Sequence, residues 1–156
     1  MKANDFVHLH VHSDYSLLDG NCQLGDMMSR CAELGMDSIA LTDHGNIFGA
    51  VNFYKMARKH DIKPIIGMEG YLAPGSRLDR QRVSKGKNTY HITLLAESQK
   101  GFQNLIKLSS AAYLEGFYYR PRMDKEILRR WHEGIICLSG CLSGELIQTI
   151  RHEGTE

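Results

Sequence analysis

The 156-residue chain has no Cys-x-x-Cys pair, no hydrophobic run approaching membrane length and almost no net charge. Each absence excludes something. Cys22, Cys31, Cys137 and Cys141 lack the spacing of a zinc ribbon or a dithiol redox motif, and read as reduced thiols. The opening MKANDF offers no apolar stretch for a signal peptide, and no later run reaches membrane length. The expectation is a soluble cytoplasmic protein without a membrane partner. Lys plus Arg number 19 against 18 Asp plus Glu, a formal charge of +1. A dedicated nucleic-acid binder carries a larger basic excess, so any such contact must be local. No G-x-x-x-x-G-K-[ST] loop, G-x-G-x-x-G fingerprint or Ser-His-Asp arrangement occurs, which disfavours nucleotide-cradling and covalent mechanisms. Internal repeats and low-complexity tracts are also missing.

What is present is alternation. Residues 6–11 switch between apolar residues and His, as a strand does. Leu24, Met27, Met28, Cys31 and Leu34 make a helical stripe over residues 23–34, with Gly35 as its stop. A short strand is predicted at 38–41, then a helix at 48–60 with Phe48, Val51, Tyr54 and Ala57 on one face. Strands follow at 64–68, with Pro64 tolerated only at the first position, and at 92–96. Helices are predicted at 100–114 and 124–133, and a fifth strand at 135–139. Such alternation predicts an α/β fold with a parallel sheet and right-handed crossovers. A closed (β/α)₈ barrel typically needs about 250 residues, so the chain is either a small open sheet or the first part of a larger barrel. The ending RHEGTE shows no clear stop after the helix-like ELIQTIRH, and truncation is expected. The one long irregular stretch, 73–88, carries Arg77, Arg80, Arg82, Lys85 and Lys87 against Asp79. It reads as an exposed loop, with phosphate contact as the alternative.

Ligands of parallel α/β folds bind at the carboxyl ends of the strands. The first predicted strand delivers His10 and His12 there, and the loop beyond it Asp19-Gly20. The second runs into Thr42-Asp43-His44-Gly45, the third into Glu69-Gly70 and the fifth into Ser139-Gly140-Cys141. Imidazole, carboxylate and thiolate are transition-metal donors. Residues two apart on a strand share a face about 6.6–6.8 Å apart, so His10 and His12 can converge on one ion or on neighbouring ions. His8 lies deeper and reads as a supporting or core histidine, while Val7, Leu9 and Val11 fill the other face. Asp43 is equally a turn or helix-capping residue, His44 a turn cap and Cys141 a small buried hydrophobe. Glu69 is awkward to leave near a core without a partner. His60, His132 and His152 fall in charged helical stretches and read as solvated.

The runs HLHVHSDYSLLDG, LTDHGN and KPIIGMEGY resemble the PHP (polymerase and histidinol phosphatase) superfamily. YLAPGSR, YHITLLAES, NLIKLSS, GFYYRPRMDKEIL and ICLSGCLSGE are most similar to the PHP domains carried by bacterial DNA polymerase III alpha subunits. The resemblance implies an α/β fold, the N-terminal portion of a distorted (β/α)₇ barrel, with residues 1–156 forming one incomplete PHP domain. Position by position it implies the ligands His10, His12, Asp19, His44, Glu69, His91 and Cys141. His91 enters on the resemblance alone, because periodicity puts it at the start of a strand. The family's later Asp-x-His pair is absent here. The implied cofactor is two or three divalent ions, zinc first, with manganese, iron or magnesium as alternatives. The implied activity is phosphodiester hydrolysis, as 3′–5′ exonucleolytic proofreading by a DNA polymerase. Arg77 and Arg120 would steer the DNA, and other replisome subunits, a proofreading subunit among them, would be partners. The alternatives are a catalytically silent docking module and a histidinol-phosphatase-like phosphomonoesterase.

Overall fold

The computed structural model describes residues 6–17, 19–82 and 88–153. The positions of Lys85 and Lys87 lie outside them. Among the described residues the order is α1 (Leu24–Glu33), β1 (Ser38–Leu41), α2 (Ala50–Lys59), β2 (Lys63–Leu72), β3 (Tyr90–Ala96), α3 (Gln99–Leu114), β4 (Arg122–Met123), α4 (Lys125–Arg130), β5 (Ile135–Leu138) and α5 (Glu145–Glu153). No helix among these residues is long and apolar enough to cross a membrane.

Local signals explain most of these elements. α1 buries Leu24, Met27, Met28 and Cys31 at helical spacing. It ends because Gly35 adopts φ +65°, which lets the Met36 amide donate back to the Cys31 carbonyl at 2.9 Å. Ser98 caps α3 by accepting from the Gly101 amide, and Asp124 caps α4 by accepting from the Ile127 amide. The two-residue β4 is too short to carry a period and was not expected.

The sheet is mixed rather than parallel. β1 and β2 run parallel, but β3 is antiparallel to β2, and β5 is antiparallel to β3. The reason lies in residues 73–89, whose described part contains no helix. Without a helical crossover the chain leaving β2 turns back beside it, and Leu72 pairs with Tyr90. β4 pairs in parallel with Tyr71 and Leu72 at the far end of β2.

Two further expectations fail. Residues 6–11 form no regular strand; they run beside β1, with the Ala40 amide donating to the His8 carbonyl and the Thr42 amide to the Val11 carbonyl. Leu9 is exposed there, and His8 is exposed with its ring edge-on to Phe6 at 4.8 Å, so neither joins a core. On α2 the buried face is Ala50, Phe53 and Ala57, while Phe48, Val51 and Tyr54 stay exposed. Both stripes fit a helical period, and only packing against α1 and β2 selects one.

Two cores result. Met28, Phe53, Ile39 and Leu41 anchor the first, between α1, α2 and β1; Met68, Leu94, Leu105, Leu108, Met123 and Ile127 anchor the second, beneath β2 and β3. Burying one such side chain stabilises the fold by about 1.5–3 kcal/mol. β2 runs between them and carries the site.

Candidate metal centre

Side chains alternate across β2. Met68 and Leu72 enter the second core, so Glu69 and Tyr71 point to the opposite face. Glu69 is 1 % exposed. A carboxylate so buried must be met by compensating groups, and four imidazoles supply them. His10 Nε2 lies 3.3 Å from Glu69 Oε2, His12 Nε2 3.1 Å and His44 Nδ1 2.8 Å. His91 Nδ1 lies 2.6 Å from Oε1.

Backbone pairing delivers each ring. His44 follows β1, and the bridge continues past the strand: the Glu69 amide donates to the Asp43 carbonyl and the Gly45 amide to the Glu69 carbonyl. His12 stacks on His44 with centroids 4.0 Å apart, and His10 meets His12 edge-on at 5.0 Å. His91 is the second residue of β3, opposite Tyr71. Because β3 is antiparallel, its first residues lie at the carboxyl end of β2. Periodicity alone gave His91 no role, since a strand start faces away from the site of a parallel sheet.

Asp43 locks the loop that carries His12. It accepts from the Ser13 amide at 2.7 Å, from Ser13 Oγ at 2.9 Å and from Ser16 Oγ at 2.8 Å, and Ser16 Oγ in turn accepts from the His44 amide. Asp43 is thus a structural carboxylate, the alternative that sequence left open for it. Its partners were missed; the spacing of Ser13 and Ser16 was the available signal. Tyr71 was missed too. Its ring lies 6.2 Å from that of His44, nearly parallel, and 5.4 Å from that of His91. Its position two residues after Glu69 on one strand placed it on the same face.

Burial opposes ionisation of Glu69, yet the imidazoles of His12, His44 and His91 outweigh it and hold the carboxyl far below the usual carboxylate range. Contact with Glu69 raises the pKa of His44; burial lowers it by less, and Asp19 adds to the rise. Glu69 Oε2 and His44 Nδ1 are nevertheless buried with no partner in hydrogen-bond geometry. Two donors each about 2.1 Å from one ion lie roughly 3–3.5 Å apart, close to the spacing of these atoms. The donor set therefore fits divalent cations. Among the described residues two groups could hold one, His10/His12/Glu69 and His44/Glu69/His91, and they share Glu69.

The remaining predicted residues fall elsewhere. Asp19 belongs to neither group: its carboxylate is exposed and lies 2.8 Å from His44 Nε2, the nitrogen turned away from Glu69. Cys141 is exposed rather than a buried hydrophobe, with Sγ 3.6 Å from His91 Nδ1 and 3.9 Å from Glu69 Oε1, at the rim of the second group. Arg77 does not face the site. Its guanidinium is buried among Asp124, Glu115 and Glu126, at 3.0, 2.6 and 3.1 Å, and those carboxylates leave it no face for DNA. Arg120 does reach the rim, with Cζ 4.7 Å above the Tyr71 ring. His60, His132 and His152 are exposed, as their charged surroundings suggested.

A model of the PHP domain matches residues 8–156, and the chain belongs to that family. DNA polymerase III subunit alpha of Borreliella burgdorferi is 55% identical over 139 residues, covering 89% of this chain and 12% of that protein. The subunit of Treponema pallidum is 51% identical over 146 residues, and that of Thermus aquaticus 52% over 149, covering 94% and 93% of this chain. The chain spans about 12% of the length of each of these relatives. Among solved structures, an amidohydrolase from Chromobacterium violaceum aligns over 67% of this chain and 34% of its own, with TM-score 0.44 and 24% identity. A candidate metal-dependent phosphoesterase from Bifidobacterium adolescentis aligns over 69% and 34%, with TM-score 0.45 and 14% identity.

Proposed function

We propose that this chain is the metal-dependent phosphoesterase domain of a bacterial DNA polymerase III alpha subunit, and that it hydrolyses phosphodiester bonds at the 3′ end of DNA. The observation that carries the reading is Glu69 Oε2, buried, without a hydrogen-bond donor aimed at it and with three imidazole nitrogens within 3.3 Å. Identities of 51–55% to alpha subunits supply the polymerase context, with DNA and further replisome subunits as partners. In this reading residues 1–156 are one PHP domain, and proofreading is its contribution to replication.

Divalent ions bound here would supply Lewis acidity toward the phosphate and a water acidified toward neutrality. A set of nitrogen, oxygen and rim sulfur suits zinc, with manganese, iron or magnesium next. The chain's own residues do the rest. His10 and His12 with Glu69 would hold one ion, and His44 and His91 with Glu69 could hold another. Glu69 joins the two groups, and its depressed pKa keeps it ionised throughout the working range. When His44 Nε2–H donates to Asp19, the other nitrogen, Nδ1, is left unprotonated and facing the site, which is how an outer carboxylate orients a ligating imidazole. Cys141 closes the His91 side.

The test is a 5′-labelled oligonucleotide incubated with the full-length protein, free of other nucleases. Metal-dependent shortening from the 3′ end is expected, and His10→Ala should abolish it. Unchanged shortening in that variant overturns the reading. One observation favours a second reading, a docking module braced by its metals: Glu69 pins together the 6–20 segment, β1, β2 and β3. In that case chelation lowers the melting temperature while no nuclease activity exists to lose. Cleavage of phosphomonoesters with no action on DNA would point to a phosphatase instead.

A further inference from the structure

Beside the imidazole cluster opens a cavity of about 420 Å³, within the size range of small-ligand sites, whose lining includes His91, Thr89, Ser143 and the run Tyr118, Tyr119, Arg120. Tyr119 is its unusual member. The backbone there takes φ +60°, a conformation that a bulky side chain adopts only at a cost. The residue is 85% exposed, so its own burial does not offset that cost.

The surroundings hold the turn in place. The Tyr118 amide donates to the Arg120 carbonyl at 3.1 Å, leaving Tyr119 at the tip, and Pro121 restricts the backbone of Arg120. The Tyr118 ring lies 5.1 Å from Arg122 Cζ. Arg122 is itself buried and fixed by the carbonyls of Gly116, Arg77 and Asp79. Tyr119 leans edge-on against Tyr118 at 4.7 Å. From Arg120 a second stack runs inward, through Tyr71 to the rings of His44 and His91.

An exposed aromatic plane on a fixed turn, with a guanidinium between it and the candidate metal centre, matches a ligand with a flat ring at one end and a phosphate at the other. That is a nucleotide: aromatic side chains stack on any base, and guanidinium pairs with phosphate oxygens. A sugar phosphate would leave the tyrosine without a partner. We propose that Tyr119 and Arg120 form the subsite for the terminal nucleotide of a single strand, the base stacked on Tyr119 and its phosphate held by Arg120 beside His91. The inference rests on the phosphoesterase reading and specifies its substrate as an unpaired nucleic-acid end.

The test uses the full-length protein and an oligodeoxynucleotide ending in 5-iodouracil at its 3′ nucleotide. After irradiation the cross-linked peptide is mapped, and KM and kcat for the unmodified oligonucleotide are measured in parallel. A cross-link at Tyr119 is expected. Tyr119→Ala should remove it and raise KM about tenfold with little change in kcat, the loss of one stacked base, and Tyr119→Phe should retain it. Cross-links confined to other segments, or a KM indifferent to Tyr119→Ala, overturn the subsite. Hydrolysis without a Tyr119 cross-link overturns the subsite and leaves the phosphoesterase reading standing. A Tyr119 cross-link without hydrolysis supports the subsite and removes the phosphoesterase reading.

Discussion

The His44 imidazole and the Glu69 carboxylate meet at 2.8 Å across the parallel pairing of β1 and β2, both atoms buried and neither hydrogen-bonded. A cation between the rings and the carboxylate resolves that arrangement; a proton resolves only one contact of it. Glu69→Gln keeps the shape and removes the charge shared by both donor groups. The expected result is a loss of metal affinity exceeding the 10–100-fold typical of outer partners, read as ions per chain by elemental analysis. An unchanged stoichiometry would mean that Glu69 is not a ligand.

Metal uptake should release protons. Contact with Glu69 raises the pKa of His44 above the ordinary histidine value of about 6.5. A ligating nitrogen must give up its proton. Affinity should therefore weaken as the pH falls through the raised pKa, beginning above about 6.5. Titration calorimetry in two buffers of different ionisation enthalpy measures the release directly. Equal heats in both buffers would contradict it.

Arg77 and Asp124 make a different prediction, about stability. Burial raises the pKa of Asp124, but hydrogen bonds donated by the Arg77 and Ile127 amides, with the Arg77 guanidinium, outweigh it and hold the carboxyl low. A carboxylate with a depressed folded-state pKa stabilises fully above its unfolded value and loses that contribution as pH falls below it. Stability should thus decline below the ordinary aspartate range, and Asp124→Asn should flatten that acid limb relative to wild type. Asp124→Ala, which leaves Arg77 buried beside fewer carboxylates, should cost about 3 kcal/mol at neutral pH. Urea unfolding across the acid range checks both.

Gly45 gives a local test of how the centre is packed. Its φ is +65°, and an added Cβ would come within 2.9 Å of both the Tyr71 ring and Pro121. Gly45→Ala should push Tyr71 away from His44 and strain the backbone, costing about 1–3 kcal/mol together with metal affinity. Thermal unfolding with and without added metal separates the two losses.

The sequence by itself determined most of the elements and nominated most of the candidate donors. Helical periods are local, so Leu24, Met27, Met28 and Cys31 declared their shared face before any partner was known. His10, His12, His44 and Glu69 were legible as candidate donors because polar groups at predicted strand ends need a reason to be there. Tertiary structure decided the rest. Strand direction is a property of two segments and the connection between them, and the antiparallel return at β3 brings His91 to the carboxyl end of β2. The same holds for charge. Arg77 looked like one basic loop residue among several until folding placed it among Asp124, Glu115 and Glu126. Asp19 was legible as a candidate ligand, and folding sets its carboxylate 2.8 Å from the outer nitrogen of His44. Pattern within one segment fixes which face a side chain takes; only packing fixes what it meets there.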